Sequence, residues 1–415
     1  MKKFLCVLLT FLMIFSLTAC EKKTISSVEE PSVSENTVET VSENAEEKKP
    51  ETETDKDEPE EEPEEEIVYP EASLKELFAE HGIKCGTCMN TRMYTRDVLV
   101  DILNTQFNSG TMENEMKPDA ILNREKSIEA GEPVVELKSD AKQILKFAKD
   151  NGMSMRGHTL VWYSQTPGWI FHEDFDGTKP LVTREVMLDR MEKYIKNVFA
   201  MLEESGYIDL FYAYDVVNEA VLDNGTLRDN TWKKIIGDDY IWYAFYFADK
   251  YAPESIDLYY NDFNEQFKYN GTLELVDTLK DSDGRYLIDG IGLQAHLYTN
   301  DSITSYFRAL DEYGKTGLKV ELTELDVCLG SYQVKAKNTD ANLDTQGRWY
   351  YDLINGIFER KDAGTLNIDA ITFWGVVDEL SWRNTQYPLL YSITGKPKPA
   401  YFGAAQIKEF AGFNE

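Results

Sequence analysis

Two glutamates at the ends of short β-branched runs offer the clearest chemistry in this chain of 415 residues. Glu219 lies in YDVVNEA and Glu324 lies in VELTELD. A carboxylate at the end of a buried strand is costly to desolvate unless it has a task there. Two such groups flanking one bond suit glycoside cleavage, since one protonates the leaving oxygen while the other attacks or activates water. We therefore expect the fold to bring Glu219 and Glu324 together.

The elements that must position this pair alternate between strand-like and helical runs. The strand-like runs cover residues 83–89, 105–112, 153–161, 208–218, 256–261, 287–296, 318–326 and 368–375. Eight such runs separated by helices predict parallel strands in one α/β domain. A closed (β/α)8 TIM barrel is the natural expectation, with its active site where the strands end. A doubly wound open sheet is the alternative, although no G-x-G-x-x-G motif follows a strand.

Helical periodicity is clearest over residues 183–204, where apolar side chains recur at helical spacing and Thr183 is a plausible N-cap. Further helices are predicted over residues 141–150, 232–251, 273–280, 303–313 and 349–360. The helices would cover the outside of the barrel and leave the strand ends free for chemistry.

The N-terminus predicts export. Two lysines, a short apolar core and the sequence LTAC predict a lipoprotein signal peptide over residues 1–19, with Cys20 as the lipidated residue. Ordinary secretion with an incidental cysteine is the alternative. We expect a protein held on the outer face of a bacterial cell membrane through the lipid on Cys20.

Residues 20–69 form the second predicted segment. Between residues 21 and 69 the chain has 19 acidic and 5 basic residues and almost no large apolar ones. Such a segment cannot offset its conformational entropy by burial, so we expect a disordered acidic tether. A metal-binding acidic cluster is a weaker alternative, because nothing in the pattern specifies a coordination geometry. Residues 70–415 would then form the catalytic domain.

The formal net charge of −31 argues against nucleic acid as a partner, while a neutral polymer would not be repelled. Cys85 and Cys88 read as C-x-x-C, which suggests a zinc or redox site. No second ligand pair accompanies them, so we expect buried packing residues. Whether Cys328 pairs with either remains open. We expect no metal, no cofactor and a monomer.

Seven motifs follow one another at the predicted strand ends. They are FNSGTMENEMKPD, RGHTLVWYSQTPGW, DVVNEA, YYNDFN, GLQAHL, ELTELD and FWGVVDELSW. From about residue 72 to its end, the chain closely resembles the family 10 glycoside hydrolases, which are endo-β-1,4-xylanases. The resemblance implies a retaining enzyme that hydrolyses xylan, with carboxyl groups about 5–5.5 Å apart.

The resemblance also implies separate roles. Glu219 matches the acid/base, which needs a raised pKa, and Glu324 matches the nucleophile, which must stay ionised. His296 and Asp326 match residues that bind and orient the nucleophile. The remaining supporting residues are Gln294 and Asn261, which match contacts of the acid/base and its surroundings, and Asn218, which matches a ligand of the sugar 2-hydroxyl.

The same resemblance implies substrate-binding side chains. Glycone-side positions are matched by Glu113, Asn114, Lys117, His158 and Trp162, the walls of the central subsites by Trp374 and Trp382, and an aglycone-side position by Phe263. Tyr163 stands where the family commonly has His, and Pro118 where it commonly has Trp, which affects the expected subsite affinities and product lengths.

Two other functions remain open at this point. A β-1,4-glucanase of the same barrel type differs in substrate by one hydroxymethyl group per sugar, which is worth only modest discrimination. A non-catalytic sugar-binding lipoprotein is disfavoured because Glu219, Glu324, His296 and Asp326 are all present.

Overall fold

The computed structural model describes Pro70 and residues 72–413, and these residues form a closed barrel of parallel strands. The barrel strands are β1 (Lys84–Met89), β2 (Ser109–Met112), β3 (Ser154–Gly157), β4 (Phe211–Asn218), β5 (Asp257–Asp262), β6 (Gly290–Leu293), β7 (Lys319–Cys328) and β8 (Ile368–Phe373). Two short strands, Val161–Trp162 and His296–Tyr298, pair with the C-terminal ends of β4 and β7.

The first and last strands meet, and this closure distinguishes a barrel from an open sheet. Lys84 of β1 pairs with Ala370 of β8, and Ile368 of β8 pairs with Val320 of β7. Each barrel strand therefore has two neighbours, whereas an open sheet leaves two strands with an unpaired edge. The predicted (β/α)8 barrel is confirmed, and the doubly wound alternative is wrong. The C-terminal ends of all eight strands meet at one rim of the barrel.

Helices surround this barrel. In the described part of the chain they are α1 (Leu74–Glu80), α2 (Asp97–Gln106), α3 (Pro118–Ile121), α4 (Arg124–Ala130), α5 (Ser139–Asp150), α6 (Arg184–Glu204), α7 (Thr231–Ile236), α8 (Tyr240–Tyr251), α9 (Glu265–Asp277), α10 (Ile303–Gly314), α11 (Asp340–Asp362) and α12 (Pro399–Ala404). The apolar side of α6 is buried, and the Thr183 hydroxyl caps it by accepting the Val186 N–H.

Three helices differ clearly from the prediction, and one of them is α11, which begins at Asp340 rather than at residue 349. The helix predicted over 232–251 is interrupted between α7 and α8, where Gly237 has a φ of +112° that favours glycine. The helix predicted over 273–280 is α9, which begins earlier, at Glu265. Its inward side carries Glu265, Lys268 and Thr272, all buried, so polar residues hide the helical periodicity of its first turns.

Strand starts also differ. The strand predicted from residue 105 begins at Ser109, because Thr105 and Gln106 still belong to α2. The Gln106 side chain is buried and accepts the Leu74 N–H at 3.0 Å, which ties α2 to α1. This tertiary contact anchors the end of α2 at residues where the sequence predicts the start of a strand.

A buried arginine occupies the barrel interior. Arg156 donates to Asp215 at 2.5 Å and to Glu321 at 2.6 Å, and its guanidinium lies 4.2 Å from the Tyr259 ring centroid. Burial opposes ionisation of Asp215, but Arg156 and His158 hold the pKa of its carboxyl below its usual range. The buried charge of Asp215 is thus paired, as buried charges must be. Through His158, Asp215 also contacts the functional site at the rim of the barrel.

The predicted signal peptide over 1–19 and the tether over 20–69, with Cys20, lie outside the described residues. Among the residues that are described, no helix combines the length and apolar character that crossing a bilayer requires. Cys85, Cys88 and Cys328 are buried free thiols, and burial raises the pKa of each. The expectation of packing residues is confirmed for Cys85 and Cys88.

Candidate active site

Glu219 directly follows β4, where the backbone leaves the strand in a sharp turn. Its φ is +58°, a left-handed conformation that costs a non-glycine residue free energy. Its N–H donates to the Asn261 carbonyl at 2.8 Å, and its carbonyl accepts from Arg228 Nε at 2.9 Å. These contacts fix the direction in which the Glu219 side chain leaves the backbone.

A second set of contacts holds the residues after Glu219. The Tyr260 hydroxyl accepts the N–H groups of Ala220 and Val221, each at 3.0 Å, and donates to Asp262. The ammonium of Lys268 donates to Asp262 at 2.7 Å and to the Val221 carbonyl at 2.8 Å. Burial raises the pKa of Asp262 to about 6, against the lowering influence of Lys268. Sequence reasoning missed this cluster, although Asp262 stands next to Asn261 in the YYNDFN motif.

The Glu219 carboxylate lies at the rim, 8% exposed, among three polar side chains. Oε2 accepts the indole N–H of Trp162 at 3.0 Å. Oε1 accepts from Gln294 at 3.0 Å and from Asn218 at 3.3 Å. Tyr163 also lies close to the Glu219 carboxylate. Burial and this carboxylate both raise the pKa of the Tyr163 hydroxyl.

Glu324 lies within the C-terminal half of β7 and is 5% exposed. Oε1 accepts from Asn261 Nδ2 at 3.0 Å, and Oε2 lies 3.2 Å from His296 Nε2. Burial opposes ionisation, but the His296 hydrogen bond and the nearby charges of His158 and Lys117 lower the pKa of the Glu324 carboxyl. Glu324 is therefore held in the ionised form that a nucleophile requires.

Two asparagines connect the glutamates. Asn261 Nδ2 donates both to Glu324 and to the Asn218 side-chain oxygen, each at 3.0 Å, while Asn218 Nδ2 contacts Glu219. Gln294 also reaches the Asn218 oxygen at 3.3 Å. The structure thus brings the predicted pair and three of its predicted supporting residues into one network. The Asn261 side chain contacts Glu324 directly, whereas only its carbonyl contacts Glu219.

His296 connects Glu324 to the interior. Its Nδ1 lies 3.1 Å from Asp326 Oδ1, at ion-pair distance, and Asp326 also accepts from Arg383 at 2.5 Å. Burial opposes protonation of His296, yet Asp326 and Glu324 raise its pKa to about 10. Burial likewise opposes ionisation of Asp326, but His296 and Arg383 lower its pKa. Sequence reasoning missed Arg383, whose only signal was its place beside Trp382.

The backbone between Gln294 and His296 is strained and supported from below. Ala295 has a φ of +56°, and its N–H donates to the buried Glu265 at 2.9 Å. The Tyr306 hydroxyl donates to the same carboxylate oxygen at 3.0 Å. Burial raises the pKa of Glu265 to about 7. Glu265, also missed from the sequence, supports the turn that aims Gln294 and His296 at the two glutamates.

The predicted glycone-side residues after β2 lie together. Lys117 Nζ donates to the Asn114 side-chain oxygen at 3.1 Å and lies 5.1 Å from the Trp162 ring centroid. The Glu113 carboxylate accepts from Asn90 at 2.7 Å and from Arg92 at 3.5 Å. Of these groups, Lys117 lies near enough to Glu324 for its charge to lower the pKa of the Glu324 carboxyl.

Of the remaining predicted contacts, His158 is 3% exposed, its Nδ1 lies 2.9 Å from Asp215, and its ring centroid lies 5.9 Å from that of Trp374. Trp374 is 6% exposed and packs edge-on against His158 and His296. Trp382 is 60% exposed and donates to Asp326 at 3.3 Å.

Phe263 lies on the β5 side of the rim, where Lys268 approaches its ring centroid to 4.2 Å. In the described part of the chain, no group of three or more His, Cys, Asp or Glu side chains could hold a metal ion. The site thus contains two carboxylates, which Asn218 and Asn261 connect through hydrogen bonds, and tryptophans and amide and ammonium donors border them.

Comparison with known proteins agrees with this geometry. The family model for glycosyl hydrolase family 10 matches residues 73–407. The bifunctional endo-1,4-β-xylanase XylA of Ruminococcus flavefaciens is 40% identical over 341 residues, which are 79% of this chain and 33% of that protein. Endo-1,4-β-xylanase B of Butyrivibrio fibrisolvens is 37% identical over 312 residues, which are 72% of this chain and 48% of that protein. The chain therefore spans between a third and a half of the length of these curated relatives.

Among solved structures, the chain is similar to the N-terminal endo-1,4-β-D-xylanase 10B modules of Clostridium thermocellum, which were solved with xylohexaose. The TM-score is 0.73 at 33% identity, over 83% of this chain and 70% of that one. The match to the family model includes all seven strand-end motifs and both glutamates. This chain belongs to glycosyl hydrolase family 10.

Proposed function

We propose that this protein hydrolyses internal β-1,4-xylosidic bonds of xylan with retention of anomeric configuration. The observation that carries the proposal is the linked pair of carboxylates, Glu219 and Glu324, with Glu324 held ionised by His296. Family membership and the xylanase names of the similar proteins support xylan as the substrate.

In the first step, the Glu324 carboxylate attacks the anomeric carbon while Glu219 gives its proton to the leaving glycosidic oxygen. The bond to the leaving sugar breaks as the ester bond to Glu324 forms. In the second step, Glu219 takes a proton from water, whose oxygen attacks the same carbon and releases Glu324. Positive charge that develops on the sugar ring is stabilised by the adjacent Glu324 carboxylate.

The surrounding side chains have supporting roles in this scheme. Asn218 would donate to the 2-hydroxyl of the sugar being cleaved, a contact that strengthens in the transition state. Glu113, Asn114 and Lys117 would bind hydroxyls on the glycone side. The exposed face of Trp382 offers an apolar surface to the C–H face of a sugar ring.

A β-1,4-glucanase of the same barrel is the less favoured alternative. A glucose unit differs from xylose by one hydroxymethyl group, and such a difference supports only about 10- to 200-fold discrimination in an apolar pocket. The similar proteins named above are xylanases, which favours xylan.

We also propose that the protein is a monomer displayed on the outer face of the cell membrane. The LTAC sequence supports lipidation of Cys20, and the acidic composition of residues 21–69 supports a solvated tether. Fully extended, about fifty residues reach roughly 150 Å, enough to carry the barrel away from the membrane. The monomeric state is supported by the closed barrel, because its paired strands leave no strand edge that could pair with a second copy of the chain.

The activity test uses Glu219→Gln and Glu324→Gln, with xylan, β-glucan and an aryl β-xylobioside as substrates. On xylan, we expect both variants to lose about 10³-fold or more in kcat, because each lacks one half of the displacement. On an aryl substrate with an acidic phenol, Glu219→Gln should still form the glycosyl-enzyme, because such a leaving group needs no proton.

The two roles can therefore be separated by a burst of phenol that precedes slow turnover in Glu219→Gln and is absent from Glu324→Gln. Matching circular dichroism spectra for the three proteins would exclude misfolding. Full xylan activity in either variant would overturn the mechanism, and a wild type that prefers β-glucan would overturn the substrate.

A further inference from the structure

A pair of tyrosines, the exposed Tyr332 and the half-buried Tyr298, extends the catalytic rim beyond the site described above. Tyr332 is 80% exposed, and its ring meets that of Tyr298 edge-on, with centroids 6.4 Å apart. We call these two residues the aromatic rim. A large exposed aromatic side chain on a loop next to a cleft suggests a binding role rather than a packing role.

The aromatic rim is continuous with the catalytic residues. Tyr298 lies two residues beyond His296 on the strand His296–Tyr298, so both side chains point to the same side of that strand. The Arg383 guanidinium lies 4.5 Å from the Tyr298 ring centroid and 5.6 Å from that of Trp382. Trp382, Arg383, Tyr298 and Tyr332 thus form an unbroken row of planar groups.

The loop that carries Tyr332 is held in place. After β7 the chain forms a short hairpin, in which the Ser331 N–H donates to the Val334 carbonyl at 2.9 Å. The Gly330 N–H donates to the Thr299 hydroxyl at 2.9 Å, and Lys335 donates to the Thr385 hydroxyl at 3.0 Å. A preorganised aromatic side chain loses less conformational entropy on binding than a mobile one.

The position of the rim indicates which part of a substrate reaches it. Glu113, Asn114 and Lys117 follow β2, whereas the aromatic rim follows β6 and β7. In a barrel of eight strands, β6 lies opposite β2 across the mouth. A polysaccharide whose glycone end lies over the β2 side therefore leaves the mouth on the side of the aromatic rim.

We propose that Tyr298 and Tyr332 form a further subsite, which binds a xylose residue on the leaving-group side of the cleaved bond. The inference rests on the proposed xylanase function. Binding occurs by stacking of the C–H face of the sugar on the exposed Tyr332 ring, with Tyr298 supporting that ring edge-on. This subsite adds affinity for long chains and takes no part in bond cleavage.

The test compares the full chain with Tyr332→Ala on two substrates. Xylohexaose places sugars beyond the cleaved bond, whereas an aryl β-xylobioside places only a phenol there. We expect kcat/KM for xylohexaose to fall about three- to tenfold, as loss of one aromatic stacking contact implies. The value for the aryl β-xylobioside should not change.

Two further variants keep the test independent of folding. Tyr332→Phe retains the ring and should behave as wild type. Val334→Ala removes another exposed side chain, 66% exposed, from the same hairpin, and it should also leave kcat/KM for both substrates unchanged. An unchanged kcat/KM for xylohexaose in Tyr332→Ala, or an equal loss on both substrates, would overturn the subsite. A wild type inactive on both substrates would instead overturn the proposed function, and the subsite with it.

Discussion

Four side chains of alternating charge run from the loop after β8 to the Glu324 carboxylate. They are Arg383, Asp326, His296 and Glu324, and each contacts the next. The alternation matters because it fixes protonation. Asp326 and Glu324 raise the pKa of His296 to about 10, so its imidazole is charged at neutral pH and donates to Glu324. Glu324 is correspondingly kept ionised at a site where burial alone would favour its neutral form.

This arrangement predicts a pH-dependent contribution of His296 to stability. The pKa of His296 rises from its usual value of 6.5 to about 10 on folding, so its contribution is complete below pH 6.5 and disappears as the pH approaches 10. Its partners Glu324 and Asp326 have lowered pKa values, so the contribution also fades in acid. The wild type should therefore exceed His296→Gln in free energy of unfolding most strongly at about pH 5–6.5.

Urea unfolding at several pH values measures this difference. His81→Gln is the matched control, because His81 is likewise paired with a carboxylate, that of Asp362 at 2.9 Å, but at the surface. Its removal should change stability by less than about 1 kcal/mol. A stability difference for His296→Gln that stays constant from pH 5 to pH 10 would contradict the assigned ion pairs.

The turn after β4 depends on two neighbouring elements, β5 and α9. β5 supplies Asp262 and the Tyr260 hydroxyl, while α9 supplies Lys268. α9 also lies directly against the loop after this turn, because a Cβ added at Gly271 would stand 2.4 Å from the Gly225 carbonyl oxygen. The turn that contains Glu219 is thus packed against α9, whose inward side carries the buried ammonium group of Lys268.

Replacement of Lys268 by Met should destabilise the protein and lower kcat. The substitution leaves Asp262 as an unpaired buried charge and removes the donor to the Val221 carbonyl, at a cost of about 3–5 kcal/mol near pH 8. The loss should be smaller at pH 5. Asp262, whose pKa is already about 6, is then protonated and requires no counter-charge.

Denaturant unfolding and steady-state kinetics at both pH values check this prediction. Lys315→Met is the control, since Lys315 pairs with Glu312 on the surface and should contribute less than about 1 kcal/mol. Equal stability losses for the two variants would show that Lys268 does not support the turn.

The molecule as a whole combines a closed barrel with the N-terminal segment predicted to anchor it. If residues 20–69 serve as a tether, their length should matter only where the substrate is insoluble and far from the membrane. Deletion of about thirty residues from this segment should leave kcat/KM on soluble xylan unchanged, because the barrel begins after it. Whole-cell activity on insoluble xylan should fall.

Cell fractionation tests the anchor in the same strains. The wild type should sediment with membranes, whereas Cys20→Ala should appear in the medium or remain unprocessed. Equal whole-cell activity with the short and long tether would rule out a reaching role for this segment.

The sequence by itself determined the barrel, its rim and the placement of Glu219 and Glu324. Eight strand-like runs that alternate with helices admit few topologies, and the motifs fall at the strand ends, which a parallel barrel brings together. These predictions need only local patterns. Helix boundaries were less predictable where tertiary contacts override periodicity, as at Gln106 in α2 and at the polar inward side of α9.

Only the tertiary structure added further supporting side chains to those that the motifs predict. Arg383 contacts Asp326, although the two residues are 57 positions apart in the sequence. Lys268 and Glu265 are helical residues whose burial no local pattern indicates. The juxtaposition of Tyr298 and Tyr332 likewise depends on the short strand His296–Tyr298 and on the hairpin after β7. Such contacts join residues distant in sequence, and their energies depend on distance and burial, which the chain acquires only when the barrel closes.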